Sequence, residues 1–194
     1  MRKLIESTFV TLDGVIESPQ VWGPPYWDDE HGGYATALLA RSDALLLGRA
    51  TYDGFVQAWP GRDGDYADRI NAMPKHVASR TLSEASWNAE LLEGDVAEAV
   101  AALKDRQGAD LLKFGTGELD LTLIPAKLVD ELHLWVFPVL AGGGRRLLDG
   151  IDLTRLRLAE TTRFDSGIVV NVCSRPSPTS LDVSVPPRRG HARA

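Results

Sequence analysis

The sequence predicts an α/β domain built on a mostly parallel mixed sheet, with an antiparallel edge strand near the C-terminus. Three observations predict it. Short apolar runs alternate with helix-like segments through the first two thirds of the chain. Two of those runs stop in glycine immediately before a helix-like stretch, "LLLGRAT" (45–51) and "LLKFGTGEL" (111–119). The last two runs are joined by Asp165-Ser166-Gly167, a turn short enough for a hairpin.

The elements follow in order. "KLIESTFVTL" (3–12) is rich in β-formers and meets a turn at Asp13-Gly14. "HGGYATALLARS" (31–42) places Leu38 and Leu39 on one helical face. "ALLLG" (44–48) and "KHVASR" (75–80) read as short strands. Asp95 with Glu98 three residues on starts "DVAEAVAALKDRQG", a capping-box-like opening with an apolar face of Val96, Val100 and Leu103 and a stop at Gly108. "DLLKFG" (110–115) is another buried strand, and "GELDLTLIPAKL" reads as a helix disturbed near its end by Pro125. "DELHLWVFPVL" (130–140) and "RLAETTRFDSGIVVNVCS" (157–174) supply three late strands. "DELHLWVFPVL" is apolar on both faces, including Trp135 and Phe137, so one face calls for more cover than the chain's own helices provide.

At 194 residues, with 44% hydrophobic and 25% charged side chains, the chain suits one soluble globular domain. Cys173 is the single cysteine, so no internal disulfide forms, and a cytoplasmic setting fits. No apolar run approaches membrane-spanning length, which argues against a membrane partner. The net charge of −6 argues against general nucleic-acid binding. Charge is unevenly placed: residues 175–194 carry four arginines and one aspartate, against 17 basic and 26 acidic residues ahead of them. Rich in Pro and Ser and without a period, this stretch reads as a mobile basic tail on a 1–174 domain.

The glycine-terminated strands carry the chemistry. In an open parallel sheet, ligands lie beyond the carboxyl ends of the strands, where helix starts aim free N–H groups at them. Glycine lets the backbone approach a phosphate, Arg49 adds a permanently charged fork, and Thr51 can cap the helix or bond a phosphate. Ser79-Arg80-Thr81, after the 75–78 strand, is a third such end. Three of them suit a dinucleotide bearing an extra 2′-phosphate. Each glycine taken alone is also accounted for as a turn, and each arginine as a surface charge. "GTGELD" lacks the third glycine of the dinucleotide fingerprint, and no P-loop, G-x-S-x-G or zinc spacing occurs. His133 reads as a strand side chain rather than a ligand.

In order and spacing, "TFVTLDGVIE", "DALLLGRATYDGF", "KHVASRTL", "LLKFGTGEL" and "LVDELHLWVFPVLAGGGRRLL" resemble the dihydrofolate reductase-like superfamily. The closer branch is that of the C-terminal reductase domain of bacterial riboflavin biosynthesis, and the likeness covers about residues 2–174. The resemblance implies a three-layer α/β/α fold, a homodimer, NADPH as cofactor, and hydride transfer to a carbon–nitrogen or carbonyl double bond of a small-molecule substrate. It places Gly48, Arg49 and Thr51 at the cofactor phosphates and Ser79 and Arg80 near the 2′-phosphate. It sets Gly115, Thr116, Gly117 and Glu118 beside the pyrophosphate, and Ile16 near the nicotinamide.

The substrate side rests on "PPYWDDEHGGY" (24–34), which offers Asp28, Asp29 and Glu30 as acids; Tyr26 and Trp27, with Trp22 just ahead of the stretch, offer an aromatic wall for a flat ring. Asp28 and Asp29 are the candidate proton donors; the same acids also suit the first turn of a helix through its dipole. Gly142-Gly143-Gly144 is either loop flexibility or part of the site. The implied function is an NADPH-dependent reductase of a small heterocycle, with two alternatives: a riboflavin-pathway reductase of a ribosylaminopyrimidine phosphate, and a non-catalytic NADPH-binding sensor or scaffold.

Overall fold

The structure is a computed structural model that describes residues 1–176. β1 (Leu4–Thr11) lies inside an eight-stranded sheet, parallel to β5 (Asp110–Phe114) on one side and to β6 (Glu131–Phe137) on the other. Beyond β5 follow β2 (Ser42–Gly48), β3 (Lys75–Ala78) and β4 (Ala89–Leu91), all parallel. Beyond β6 the direction reverses in β8 (Val169–Ser174), and β7 (Arg157–Arg163) forms the rim. The reversed strand is therefore one place in from the edge, with the hairpin at Asp165-Ser166-Gly167 closed by the Gly167 amide on the Phe164 carbonyl.

Strand residues alternate between two cores. Ile5, Leu45, Leu47 and Leu112 face α2 (Asp29–Ala40), α3 (Arg49–Ala58) and α4 (Asp65–Ala72), which contribute Leu38, Leu39, Tyr52 and Ile70. Leu4, Ala44, Leu46 and Leu111 face α5 (Val96–Asp105) and α6 (Asp120–Leu123), which bring Val100, Leu103 and Leu123. The result is a three-layer α/β/α arrangement. Leu45, Leu46 and Leu47 are fully buried, and each stabilises the fold by roughly 1.5–3 kcal/mol.

The sequence reading differs from the structure in a few places. The helix expected over "GELDLTLIPAKL" shrinks to α6, because Pro125 has no N–H to continue it and Lys127 closes the turn at φ 58°. α4 and β4 are additional elements, as is the short α1 (Pro19–Trp22). Buried Lys75 ends α4: its ammonium donates to the carbonyls of Ile70 (2.7 Å), Asn71 (3.1 Å) and Met73 (2.6 Å) and lies over the Trp87 ring. The Asp95 cap is as expected, accepting from the Glu98 amide at 3.0 Å. Arg175, the first residue of the expected tail, pairs with Asp130 at 2.7 Å; the tail from 177 onward lies outside the described residues. Among the described residues, no helix is long and apolar enough to cross a membrane.

The 138–146 segment returns to the exit of β1. Asp13 accepts the amides of Ala141 (3.1 Å) and Gly142 (2.8 Å) and the Thr11 hydroxyl (2.5 Å), bonds that hold its carboxyl down at about 2, the Thr11 bond foremost. Val15 and Arg146 form an antiparallel bridge. Within the glycine run, only Gly144 is sterically confined: its φ is +124°, and a Cβ there would lie 2.9 Å from Val15 Cγ1. Nothing lies within 4 Å of the corresponding position at Gly143. Gly144→Ala is expected to cost about 1–3 kcal/mol in urea unfolding and Gly143→Ala less than about 0.5 kcal/mol. Equal losses would show that the loop is not seated against Val15.

Candidate nucleotide cleft and aromatic chamber

Parallel strands deliver their carboxyl ends to one side of the sheet, and a cleft of about 750 Å³ lies there, over the ends of β2, β3 and β5. Of the ten residues expected at a cofactor, nine line it: Gly48, Arg49, Thr51, Ser79, Arg80, Gly115, Thr116, Gly117 and Glu118. Ile16 does not. It is buried, and its amide donates to the carbonyl of Arg145, which does line the cleft.

The residues fit an anionic, phosphate-bearing group. α3 starts at Arg49 with Gly48 as its N-cap and no side chain on its first amides, so those N–H groups remain available. Gly115 adopts φ +70°, a conformation that favours glycine, and its amide is tied to the Ser7 carbonyl at 2.8 Å. Beyond Gly117 a side chain would meet nothing within 4 Å, which leaves the backbone open to approach. The Thr116 hydroxyl is buried without a partner among the described residues.

Several of these side chains already have partners. Thr51 is not the helix cap: its hydroxyl donates to the Phe114 carbonyl at 3.3 Å and locks α3 to the end of β5. Ser79 accepts the Thr81 and Leu82 amides, which forms the turn but leaves its own O–H free to donate. Arg49 holds Asp53 through Nε (2.7 Å), and Arg80 holds Glu118 (2.8 Å). Glu118 thus acts on the cleft through Arg80. Both pairs are exposed, and such pairs contribute only about 0–1 kcal/mol, so a phosphate can take the carboxylate's place at little cost. Arg145 adds to the basic lining, and Lys113 lies buried beneath it; the sequence reading had neither, since Arg145 reaches the cleft only through the long-range return of its loop.

A second feature lies beside the cleft. Phe9, Trp135 and Phe137 from β1 and β6 meet Trp22, Tyr26, Trp27, His31 and Tyr34 from the 19–34 segment, with ring centroids 5.0–5.9 Å apart. The two features share β1: the Ser7 carbonyl holds Gly115, and the Ser7 hydroxyl accepts Trp135 Nε1 at 3.0 Å. Trp27 is 46% exposed and stacks on His31. Burial pushes the His31 imidazole below its ordinary value against the pull of Asp28, and its Nε2 has no partner among the described residues.

The expected acids sit at the rim. Asp28 caps α2, accepting the His31 amide at 2.9 Å, and Asp28 and Asp29 are both exposed. Glu30 accepts the Asp165 amide at 2.6 Å. The helix-start reading of this acidic stretch is realised, and neither Asp28 nor Asp29 lines the cleft over β2, β3 and β5. His133 is a buried strand residue as expected, bonded to the Tyr34 hydroxyl (2.8 Å) and to Glu131 (3.2 Å). Among the described residues no cluster of metal-ligating side chains occurs.

Comparisons with known proteins bear on the family and the fold. The model of the RibD C-terminal domain matches residues 2–170. The uncharacterized protein YyaP of Bacillus subtilis (strain 168) is 32% identical over 176 residues, covering 87% of this chain and 92% of that protein. Among solved structures, a protein provisionally assigned to riboflavin biosynthesis in Shewanella sp. PV-4 superposes with a TM-score of 0.69 at 22% identity, covering 90% of this chain and 99% of the other. A pyrimidine reductase-like protein from Corynebacterium diphtheriae gives 0.64 at 14% identity, covering 89% and 91%. At these identities the two structures establish the shared fold. The chain belongs to the RibD C-terminal domain family, a reductase-like family with the dihydrofolate reductase-like fold.

Proposed function

We propose that the protein is an NADPH-dependent reductase that transfers a hydride to a C=N or C=O bond of a small heterocyclic substrate. The observation that carries this reading is the shared strand: an open, arginine-bearing cleft and a packed aromatic cluster meet through Ser7 of β1. Bound in the cleft, NADPH supplies the hydride. The α3 amides and the Thr116 hydroxyl would receive its pyrophosphate, while Gly115 and Gly117, their own amides held by Ser7 and Asp120, leave the backbone open to its approach. Arg80 and Ser79 face its 2′-phosphate, Arg49 and Arg145 add charge, and Ile16 supports the nicotinamide end through Arg145. Trp27, part-exposed and stacked on His31 at the edge of the packed rings, offers an aromatic surface to a flat substrate.

Reduction leaves a nitrogen or oxygen that takes up a proton. Asp28 and Asp29 at the chamber's rim supply it, Asp28 from beside His31. The exposure of both acids favours one second reading, a non-catalytic NADPH-binding sensor. Fluorescence titration with NADPH and NADH, followed by a substrate screen, separates the two. Arg80→Ala is expected to weaken NADPH about tenfold and NADH little. Asp28→Asn keeps the helix cap, and is expected to lower turnover while leaving NADPH affinity unchanged. Equal losses for both cofactors would overturn the NADPH assignment, normal turnover in both Asp28→Asn and Asp29→Asn the proton source, and NADPH binding without any reducible substrate the enzyme itself.

We further propose a homodimer. The face of β6, β8 and β7 opposite α2 presents Leu134, Val136, Cys173 and Leu158, with Leu156 and Leu153 beside it. Leu158 is 57% exposed and Leu153 82%, and no helix among the described residues covers this face. A dimer mass by light scattering at micromolar concentration is expected, shifting toward monomer in Leu158→Glu. A monomer in the unsubstituted protein would reject the assignment.

A further inference from the structure

Beneath the cleft lies a cluster of charges with no exposure to account for it. Glu6 on β1 and Lys113 on β5 are register partners in adjacent parallel strands, and Asp120 opens α6 across from them. Glu6 and Asp120 are fully buried and Lys113 is 1% exposed. Lys113 Nζ lies 2.8 Å from Asp120 Oδ2 and 3.4 Å from Glu6 Oε2, and it also donates to the Gly115 carbonyl. The same Asp120 oxygen accepts the Gly117 amide at 2.7 Å. One ammonium and one carboxylate thus grip both ends of the glycine loop.

The count of charges does not balance. Two ionised carboxylates against one ammonium leave a net negative charge in a dry interior, an arrangement that proteins avoid by keeping one acid protonated. The unpartnered atoms point the same way: both Glu6 oxygens and Asp120 Oδ1 accept no hydrogen bond among the described residues, Lys113 meeting Glu6 only as an ion pair, and a proton between the two carboxyls supplies one. Its neighbour on β6 is Leu132, and α5 presents Val100 and Leu103 to this side, with its buried Lys104 held by Asp130, whose carboxylate also accepts the Leu4 amide.

We propose that Glu6 and Asp120 hold one proton between them and form, with Lys113, a neutral positioning unit that shapes the Gly115–Gly117 loop to receive an anion. The unit makes anion affinity depend on pH from below: losing the shared proton leaves an uncompensated negative charge under the phosphate site. Burial, with Asp120 adding to it and Lys113 opposing, holds the Glu6 carboxyl well above the usual carboxylate range. For such an acid the folded state keeps a proton that the unfolded chain releases. Its contribution to stability is therefore present at low pH and declines as pH rises from about 4 through the raised value. The proposal rests on the cofactor reading for its ligand, but not for its proton.

The test uses the full chain, adenosine 2′,5′-bisphosphate and NADPH as probes, and Glu6→Gln as the variant. Glutamine is neutral at every pH and donates as the protonated acid does. Between pH 5 and 9, the ratio of wild-type to Glu6→Gln affinity is expected to fall about threefold or more, since titration of the probe cancels in the ratio. Thermal stability of the wild type is expected to decline over the same range relative to Glu6→Gln. Parallel affinity and stability curves overturn the proposal. If neither protein binds a probe but the stability curves diverge, the shared proton stands and the cofactor reading fails. Should Glu6→Gln not fold, Asp120→Asn makes the same measurement: it keeps an acceptor for Gly117 and removes the competing carboxylate. A wild-type profile in Asp120→Asn would then overturn the shared proton.

Discussion

The register of β1 between β5 and β6 is the constraint on which the functional end depends. All three strands run parallel, so their glycine turns and aromatic ends emerge on one side. A shift of one residue in that register would turn Glu6 and Thr8 into the α2 core and drive Ile5 and Phe9 to the other face. It would also part Ser7 from both Gly115 and Trp135. The cleft and the chamber are therefore two consequences of one pairing. Continuous burial along β1, on both faces, makes the alternatives costly.

Electrostatics at the cleft work by exchange. Two of its arginines are held by carboxylates, Asp53 and Glu118, on exposed side chains. A solvated pair of this kind keeps each guanidinium near its working position, yet gives way readily to a phosphate that offers more acceptor oxygens. Asp53 holds Arg49 along the same helix, whereas Glu118 reaches across from the β5 loop to β3's extension at Arg80. The second pair therefore ties the β5 loop to the end of β3 across the mouth of the cleft.

The sequence made much of this legible because the signals are local. Gly48 before Arg49, the Asp95 cap and the 165–167 turn each reveal their role within a few residues, and the structure has them there. What stayed hidden depends on distant pairing. Lys113 reads as one polar residue in an apolar strand, and Glu6 as ordinary alternation; only the β1–β5 register brings them together. Arg145 enters the cleft because Val15 bridges Arg146, a contact that no spacing announces. Thr51 was ambiguous between cap and ligand since both need a hydroxyl at a helix start, and the Phe114 carbonyl decides against the cap. The short α6 eluded a periodicity reading because "ELDLTL" suits a helix until Pro125 and the grip of Asp120 on Gly117 are both counted.

A cluster such as Glu6, Lys113 and Asp120 is a poor way to gain stability. Charges removed from water lose several kcal/mol of hydration each, and apolar side chains of similar volume often stabilise as well or better. Leu4 and Leu111, one turn of the alternation away, show that this face accepts apolar packing readily. The ionic group lies beneath the glycine loop, and its hydrogen bonds go to the carbonyl of Gly115 and the amide of Gly117. Glycines at those positions leave the loop free to adopt many shapes, a freedom that a phosphate would have to remove on binding. Fixing both ends of the loop from below removes that freedom in advance. The buried charges are thus better explained by the ligand's side of the loop than by the core's.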